Sequence, residues 1–154
     1  MRKLLIALTI TLGFIGFVAP SASAAAPTKP LKCVASDPAF VLVDSENNSV
    51  TITDNAVGGN NFGCYTNITV TAGDTITFNY LGTCGGGVPR LFIRFTGGQS
   101  ENTFDNQPCS TNGTVTYLLQ NSGKIKSFAF INDRGDGSTV TYSNLVIAGQ
   151  RIDF

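Results

Sequence analysis

The segment Ile68-Thr-Val-Thr-Ala-Gly-Asp-Thr-Ile-Thr-Phe-Asn-Tyr80 decides the fold class. Apolar and polar residues alternate on both sides of Ala72-Gly-Asp74. Ile68 and Val70 point one way and Thr69 and Thr71 the other; beyond the turn, Ile76, Phe78 and Tyr80 point inward. A period of two is the mark of a half-buried β-strand, because successive side chains leave opposite faces of the pleat.

The same reading extends outward in both directions. Ala39 to Val43 is a continuous apolar run, which predicts a strand buried on both faces. Ser45-Glu-Asn-Asn48 is a polar turn, and Val50 and Ile52 then alternate with Thr51 and Thr53. Gly58 to Gly63 reads as a Gly/Asn loop and Leu81 to Pro89 as a glycine-rich one. Arg90 to Phe95 is a strand ended by Gly97-Gly98, and Thr103 to Asn112 is irregular. Thr114 to Leu119 puts Val115, Tyr117 and Leu119 inward. Asn121-Ser-Gly123 turns into Ile125 to Ile131, and Asn132 to Ser138 is a loop. Thr139 to Ile147 is a strand with a bulge at Ser143-Asn144, and Ala148-Gly-Gln150 leads to a last short strand ending at Phe154. No segment carries a helical period. About eight to ten strands at this spacing predict an all-β fold: an antiparallel two-sheet β-sandwich, jelly roll or Greek key.

The N-terminus adds an address. Met1-Arg2-Lys3 is basic, Leu4 to Val18 is largely apolar, and Pro20-Ser-Ala-Ser-Ala-Ala25 places small residues at an Ala-x-Ala site. That layout predicts a secretory signal peptide over residues 1–24. The apolar run is shorter than the roughly 20 residues of a spanning helix, so no membrane insertion is expected after cleavage. The mature protein is expected to be secreted and extracellular, from a bacterial host. Residues 25–32, with Pro27 and Pro30, form a linker, and residues 33–154 a single β-sandwich domain of ordinary size. Residues 25–154 keep nine of the eleven phenylalanines, enough for a substantial core.

Composition removes several functions. Without Arg2 and Lys3 the chain has eight basic and ten acidic residues, so its net charge is about −2. That argues against nucleic acid as a partner, which requires a basic surface, and against a polybasic membrane contact. There is no histidine. A Ser-His-Asp or Cys-His nucleophile is therefore excluded, as is a histidine-ligated zinc or copper centre. The stretch Ile68 to Phe78 resembles the strand-turn-strand of cupredoxin-like domains, but the copper ligands are missing and the function does not carry over.

Four cysteines remain in the mature chain: Cys33, Cys64, Cys84 and Cys109. In an exported protein an even number reads as disulfides, and four allow three pairings. Cys33–Cys64 and Cys84–Cys109 is the pairing expected here, so the sandwich is disulfide-stapled. No C-x-x-C spacing supports a zinc site.

The closing segment, Phe128-Ala-Phe-Ile-Asn-Asp followed by Val140-Thr-Tyr-Ser-Asn-Leu-Val-Ile-Ala-Gly149, resembles the last two strands of jelly-roll carbohydrate-binding modules. That resemblance implies a secreted, non-catalytic module whose partner is a polysaccharide or cell-surface glycan.

Arg90-Leu-Phe-Ile-Arg-Phe95 is the candidate ligand-binding strand. Leu91, Ile93 and Phe95 fill the core, leaving Arg90, Phe92 and Arg94 on the other face. A ring flanked by guanidinium groups suits a sugar face and its hydroxyls or carboxylates. With no tryptophan, a soluble or branched chain or a terminal sugar is expected rather than a flat crystalline one.

Asn132-Asp-Arg-Gly-Asp-Gly-Ser138 supports three readings. Asp133 and Asp136 offer oxygen ligands for a structural calcium ion. Arg134-Gly-Asp136 is the tripeptide that integrins read. The preferred reading is a plain hairpin loop in which Gly135 and Gly137 supply positive φ, and no cofactor is expected. For catalysis a carboxylate pair is what remains, and Glu101 with Asp105 is the one conceivable pair; solvated turn acids account for both, so no enzyme activity is expected. The alternative to glycan binding is a structural or interaction protein, an envelope component or inhibitor, meeting a protein partner through exposed strand edges.

Overall fold

The computed structural model describes residues 27–54, 59–82, 90–103, 112–132 and 137–154, and every regular element in them is a β-strand. In chain order the strands are β1 (Lys32–Ala35), β2 (Val41–Asp44), β3 (Ser49–Thr53), β4 (Asn60–Tyr65), β5 (Thr69–Val70), β6 (Thr75–Gly82), β7 (Arg90–Phe95), β8 (Ser100–Asn102), β9 (Asn112–Leu118), β10 (Gly123–Asn132), β11 (Thr139–Ile147) and β12 (Gln150–Arg151). They form two antiparallel six-stranded sheets. The first runs β1-β4-β10-β7-β8 with β5 added to β10; the second runs β2-β3-β11-β6-β9 with β12 added to β11.

The period of two does the building. On β6, Ile76, Phe78 and Tyr80 are buried; on β7, Leu91, Ile93 and Phe95; on β10, Ile125, Phe128 and Phe130; on β11, Val140, Tyr142, Leu145 and Ile147. These inner faces meet in one core. Burying each such side chain is worth about 1.5–3 kcal/mol. Across the sheets, Phe130 stacks on Tyr142 at 4.4 Å and meets Phe78 edge-on at 5.4 Å. The Tyr142 hydroxyl donates to the Ile131 carbonyl at 2.7 Å, so the buried phenol is satisfied.

The bulge expected in the penultimate long strand is present. The β11–β6 register shifts between Ser143 and Val146, and Asn144 adopts a φ of 54°. The extra residue lets both Tyr142 and Leu145 face inward despite their odd spacing. A second register shift lies on β10 between Ile125 and Ser127. The Ala72-Gly73-Asp74 turn carries the chain from β5 in one sheet to β6 in the other, with Gly73 at a φ of 94°.

Two expectations are corrected. The apolar run Ala39 to Val43 is not buried on both faces: among the described strands β2 is an edge strand paired with β3 alone, and Leu42 is 68% exposed. Apolar composition cannot distinguish a central strand from an edge. The Gly58 to Gly63 loop becomes a strand from Asn60 onward, because β4 pairs with β1 on one side and β10 on the other. Asn60 is tolerated inside because its side-chain amide donates to the Thr53 carbonyl at 2.8 Å. Ahead of β1, which opens at Lys32, the Thr28 amide donates to the Arg151 carbonyl at 2.7 Å.

Cys33 and Cys64 are opposite each other on β1 and β4 and form a disulfide, as the spacing analysis expected. Cys84 and Cys109 lie outside the described residues, as do the signal-peptide segment and Asp105.

Glu101, expected in a solvated turn, is instead on β8 and only 7% exposed. Its carboxylate accepts from the backbone amides of Gln120 and Asn121, the latter at 2.7 Å, and from the Asn121 side-chain amide at 2.7 Å. The Tyr117 hydroxyl also donates to it. Glu101 belongs to the first sheet and Tyr117 to β9 of the second, so this carboxylate ties the two sheets together.

Burial pushes the Glu101 carboxyl up, but these hydrogen bonds together hold it below its usual range. Burial and the Glu101 charge push the Tyr117 phenol up. A depressed folded-state pKa stabilises the fold above the unfolded value, about 4.3, and that contribution is lost as pH falls through the folded value. Glu101→Gln is therefore expected to cost about 1–3 kcal/mol at neutral pH and to flatten the loss of stability under acid. Denaturant titrations from pH 7 to pH 3 test this; parallel pH profiles would remove Glu101 from the role. Replacing both Cys33 and Cys64 with alanine is expected to cost about 3–4 kcal/mol, since the bridge closes a loop of roughly thirty residues. It should appear as a lower denaturant midpoint.

Candidate functional site

The inward residues of the first sheet determine what its outer face carries. With Cys64, Phe128, Phe130, Leu91 and Ile93 pointing in, the residues between them point out. Three cross-strand rows result. Val34, Gly63, Ala129, Phe92 and Asn102 align in one; Lys32, Tyr65, Ser127, Arg94 and Ser100 in the next; Asn61, Ile131 and Arg90 in the third.

The two central strands contribute Gly63, Ala129 and Ser127, the smallest side chains on the face. Larger groups stand beside them: Val34 on the β1 side, Phe92 and Arg94 on the β7 side, Tyr65 and Ile131 towards the ends. The result is an open groove of about 390 Å³ along β4 and β10. That is within the size range of small-molecule sites. Beyond Phe92 and Arg94 a second depression continues over Gln99, Ser100 and Lys126.

The strand Arg90 to Phe95 presents its residues as the alternation requires. Arg90 and Phe92 are half-buried, Arg94 is exposed, and all three are on the outer face. Phe92 and Arg94 are brought together: the Arg94 guanidinium carbon lies 5.2 Å from the Phe92 ring centre, a cation–π arrangement. Part of the ring is thus a shelf for the guanidinium. Tyr65, 48% exposed, is the open aromatic of the groove. It was legible as the outward neighbour of Cys64, but only once the Gly/Asn stretch is recognised as strand. Ser127 and Ala129 were not readable from simple alternation, which sets them on the face of Ile125; the bulge after Ile125 turns them outward, and strand register groups them with Gly63.

The other sheet's outer face is different. Strands β3, β6, β9 and β11 contain no charged residue. Their hydroxyls satisfy one another: Thr51 with Thr141 at 2.8 Å, Thr53 with Thr139 at 3.1 Å, and Thr114 with Asn79 at 2.9 Å.

Asp133 and Asp136 lie outside the described residues. Among the described residues no group of three or more His, Cys, Asp or Glu side chains is placed to hold a metal ion. Glu101 faces the core and is engaged in the hydrogen bonds above, and Glu46 sits in the exposed turn after β2.

No protein-family model matches the chain, and no curated protein matches it in sequence. Solved structures share its fold. A lysine variant of the family 29 carbohydrate-binding module CBM29-2 aligns with a TM-score of 0.54 at 12% identity, over 72% of this chain and 78% of that one. Two other variants of CBM29-2, complexed with mannohexaose and with cellulohexaose, give TM-scores of 0.52 and 0.51 at 11% identity. They cover 69% of this chain and 74% and 73% of their own. The chain is therefore a jelly-roll β-sandwich with the fold of these modules. The resemblance read from its closing strands holds at the level of the fold.

The groove can be closed without disturbing the core. A Cβ on Gly63 meets Ala129 and the Phe128 carbonyl at 3.6 and 3.7 Å, ordinary contact distances, with its direction outward. Gly63→Ala should leave the melting temperature within a few degrees, and Gly63→Leu should fill the groove while the protein still folds. Near-native circular dichroism and melting of both variants check this. By contrast, a Cβ on Gly113 meets the Tyr80 ring at 2.7–2.9 Å, so Gly113→Ala is expected to destabilise by about 1–3 kcal/mol through overpacking.

Proposed function

We propose that this protein is a secreted, non-catalytic carbohydrate-binding module that holds a glycan in the groove on the outer face of its first sheet. The observation carrying this reading is the groove itself: a floor of Gly63, Ala129 and Ser127 between the aromatic rings of Tyr65 and Phe92. Small floor residues let a chain of sugar rings approach the sheet, and an exposed aromatic offers the apolar face on which a pyranose stacks. Arg90, Phe92 and Arg94 are the ligand-binding residues of this proposal, and Tyr65 joins them. The shared fold with modules solved in complex with mannohexaose and cellulohexaose supports the ligand class. Fold alone does not assign function; the site is what the reading rests on.

Export is part of the proposal. The N-terminal address supports it, and so does the Cys33–Cys64 disulfide, a bond that persists in oxidising compartments.

One observation favours a second reading, attachment to a protein partner. Edge strand β2 leaves Leu42 and Val43 exposed beside an unpaired backbone edge, a geometry that accepts an added strand.

The test is retention of the oxidised protein on insoluble polysaccharides and whole cell walls. Binding that a soluble oligosaccharide competes away is expected, with Phe92→Ala and Tyr65→Ala each weakening it about tenfold, the scale of one lost stacking contact. Retention unchanged in both variants and in Gly63→Leu would transfer the function away from this groove.

A further inference from the structure

Among the described residues the outer face of the first sheet carries an excess of positive charge. The chain from residue 25 onward has a small net negative charge, yet five of its eight cations, Lys32, Arg90, Arg94, Lys124 and Lys126, are on the outward positions of this sheet. Among the described residues no carboxylate lines either the groove or the depression that continues from it. The glutamate of β8 in the same sheet, Glu101, is turned inward. In the opposite sheet β3, β6, β9 and β11 carry no charge, and its charged positions are Asp44 on edge strand β2 and Arg151 on β12. A neutral glycan can use such side chains as donors to its hydroxyls, but an anionic one also uses their charge.

Arg94 and Lys126 converge on the same depression, with Ser100 and Gln99 beside them and Phe92 as its shared wall. The Phe92 ring under the Arg94 guanidinium fixes that side chain over an apolar surface, which leaves its N–H edge for a ligand. A planar guanidinium matches a planar carboxylate through two parallel hydrogen bonds.

From this we propose that the ligand is an anionic glycan, a polyuronate, whose ring carboxylates are received by Arg94 and Lys126 while its chain lies along the Gly63–Ala129–Ser127 floor. The inference rests on the carbohydrate-binding reading and narrows it. It also departs from the neutral hexaoses held by the modules of similar fold.

The experiment is titration calorimetry of the oxidised protein with oligogalacturonate, mannohexaose and dextran sulfate, at low and at physiological salt. Oligogalacturonate should bind most tightly and weaken as salt rises, because the contact is between opposite charges near the surface. Arg94→Gln and Lys126→Gln should each weaken it at least about tenfold, the worth of a charge-assisted hydrogen bond. Arg151→Gln, on the other sheet, should not change it. Unchanged melting temperatures keep these losses from being folding effects. Mannohexaose binding as tight as oligogalacturonate and indifferent to Arg94→Gln and Lys126→Gln would overturn the anionic ligand and leave the carbohydrate reading intact. Dextran sulfate binding as tightly as oligogalacturonate would overturn the carboxylate assignment, leaving only charge attraction. Failure of all three to bind would overturn both readings.

Discussion

Strand β10 is held from both sides of the sandwich, and most of the structure follows from how it is held. Phe130 stacks flat on Tyr142 of the other sheet, Phe78 closes the pair edge-on, and the Tyr142 hydroxyl reaches the carbonyl of Ile131. These contacts permit one register. A slip by one residue would drive Ser127, Ala129 and Ile131 into the core and turn two phenylalanines out to water. The outer groove is the other side of that constraint. Its floor is built of small side chains, and the aromatic residues between the floor positions are committed to the core.

The two sheets are also joined at their margins, and there the ties are polar. Glu101 reaches from β8 to Tyr117 and to the amides of Gln120 and Asn121. Asn48, at a φ of 47°, donates to the Ile152 carbonyl at 2.8 Å and accepts from the Phe154 amide at 2.8 Å. Asparagine tolerates that left-handed backbone better than most residues. Phe154, held in this way, adds its ring to Phe62, Phe128 and Phe130. The disulfide fastens β1, an edge strand of the first sheet, to β4. Central strands are thus secured by packing, and edges by hydrogen bonds and one covalent bond. This division fits the lower burial available at a sheet margin.

A sheet face becomes a binding face when its outward residues are shaped and charged differently from their surroundings. The second sheet's outer face carries threonines whose hydroxyls are paired with one another, with Leu42, Leu81 and Leu118 exposed among them. The first sheet's outer face has a trough of small side chains, two partly exposed rings and a concentration of cations. The difference between them is what selects the site, more than any single residue.

Much of this was legible without coordinates. Strict alternation in Ile68 to Tyr80 and Arg90 to Phe95 specified strands and their inward faces, because side-chain direction in a strand is a local property; in Ile125 to Ile131 and Thr139 to Ile147 a bulge breaks the alternation, and packing fixes the inward set. The same alternation set Arg90, Phe92 and Arg94 on one face, and an even number of cysteines behind a segment read as an export signal implied a disulfide. Other features could not be read along the chain. Whether Ala39 to Val43 is central or at an edge depends on how many neighbours it finds, and the Gly/Asn stretch becomes a strand only because β1 and β10 lie on either side of it. Glu101 is buried because a turn more than fifteen residues away supplies amides to it. The groove unites Gly63 and Tyr65 with Ala129, Ser127 and Phe92. Their grouping is set by the order and register of strands, and that order is decided by long-range packing of the core rather than by any local preference of the sequence.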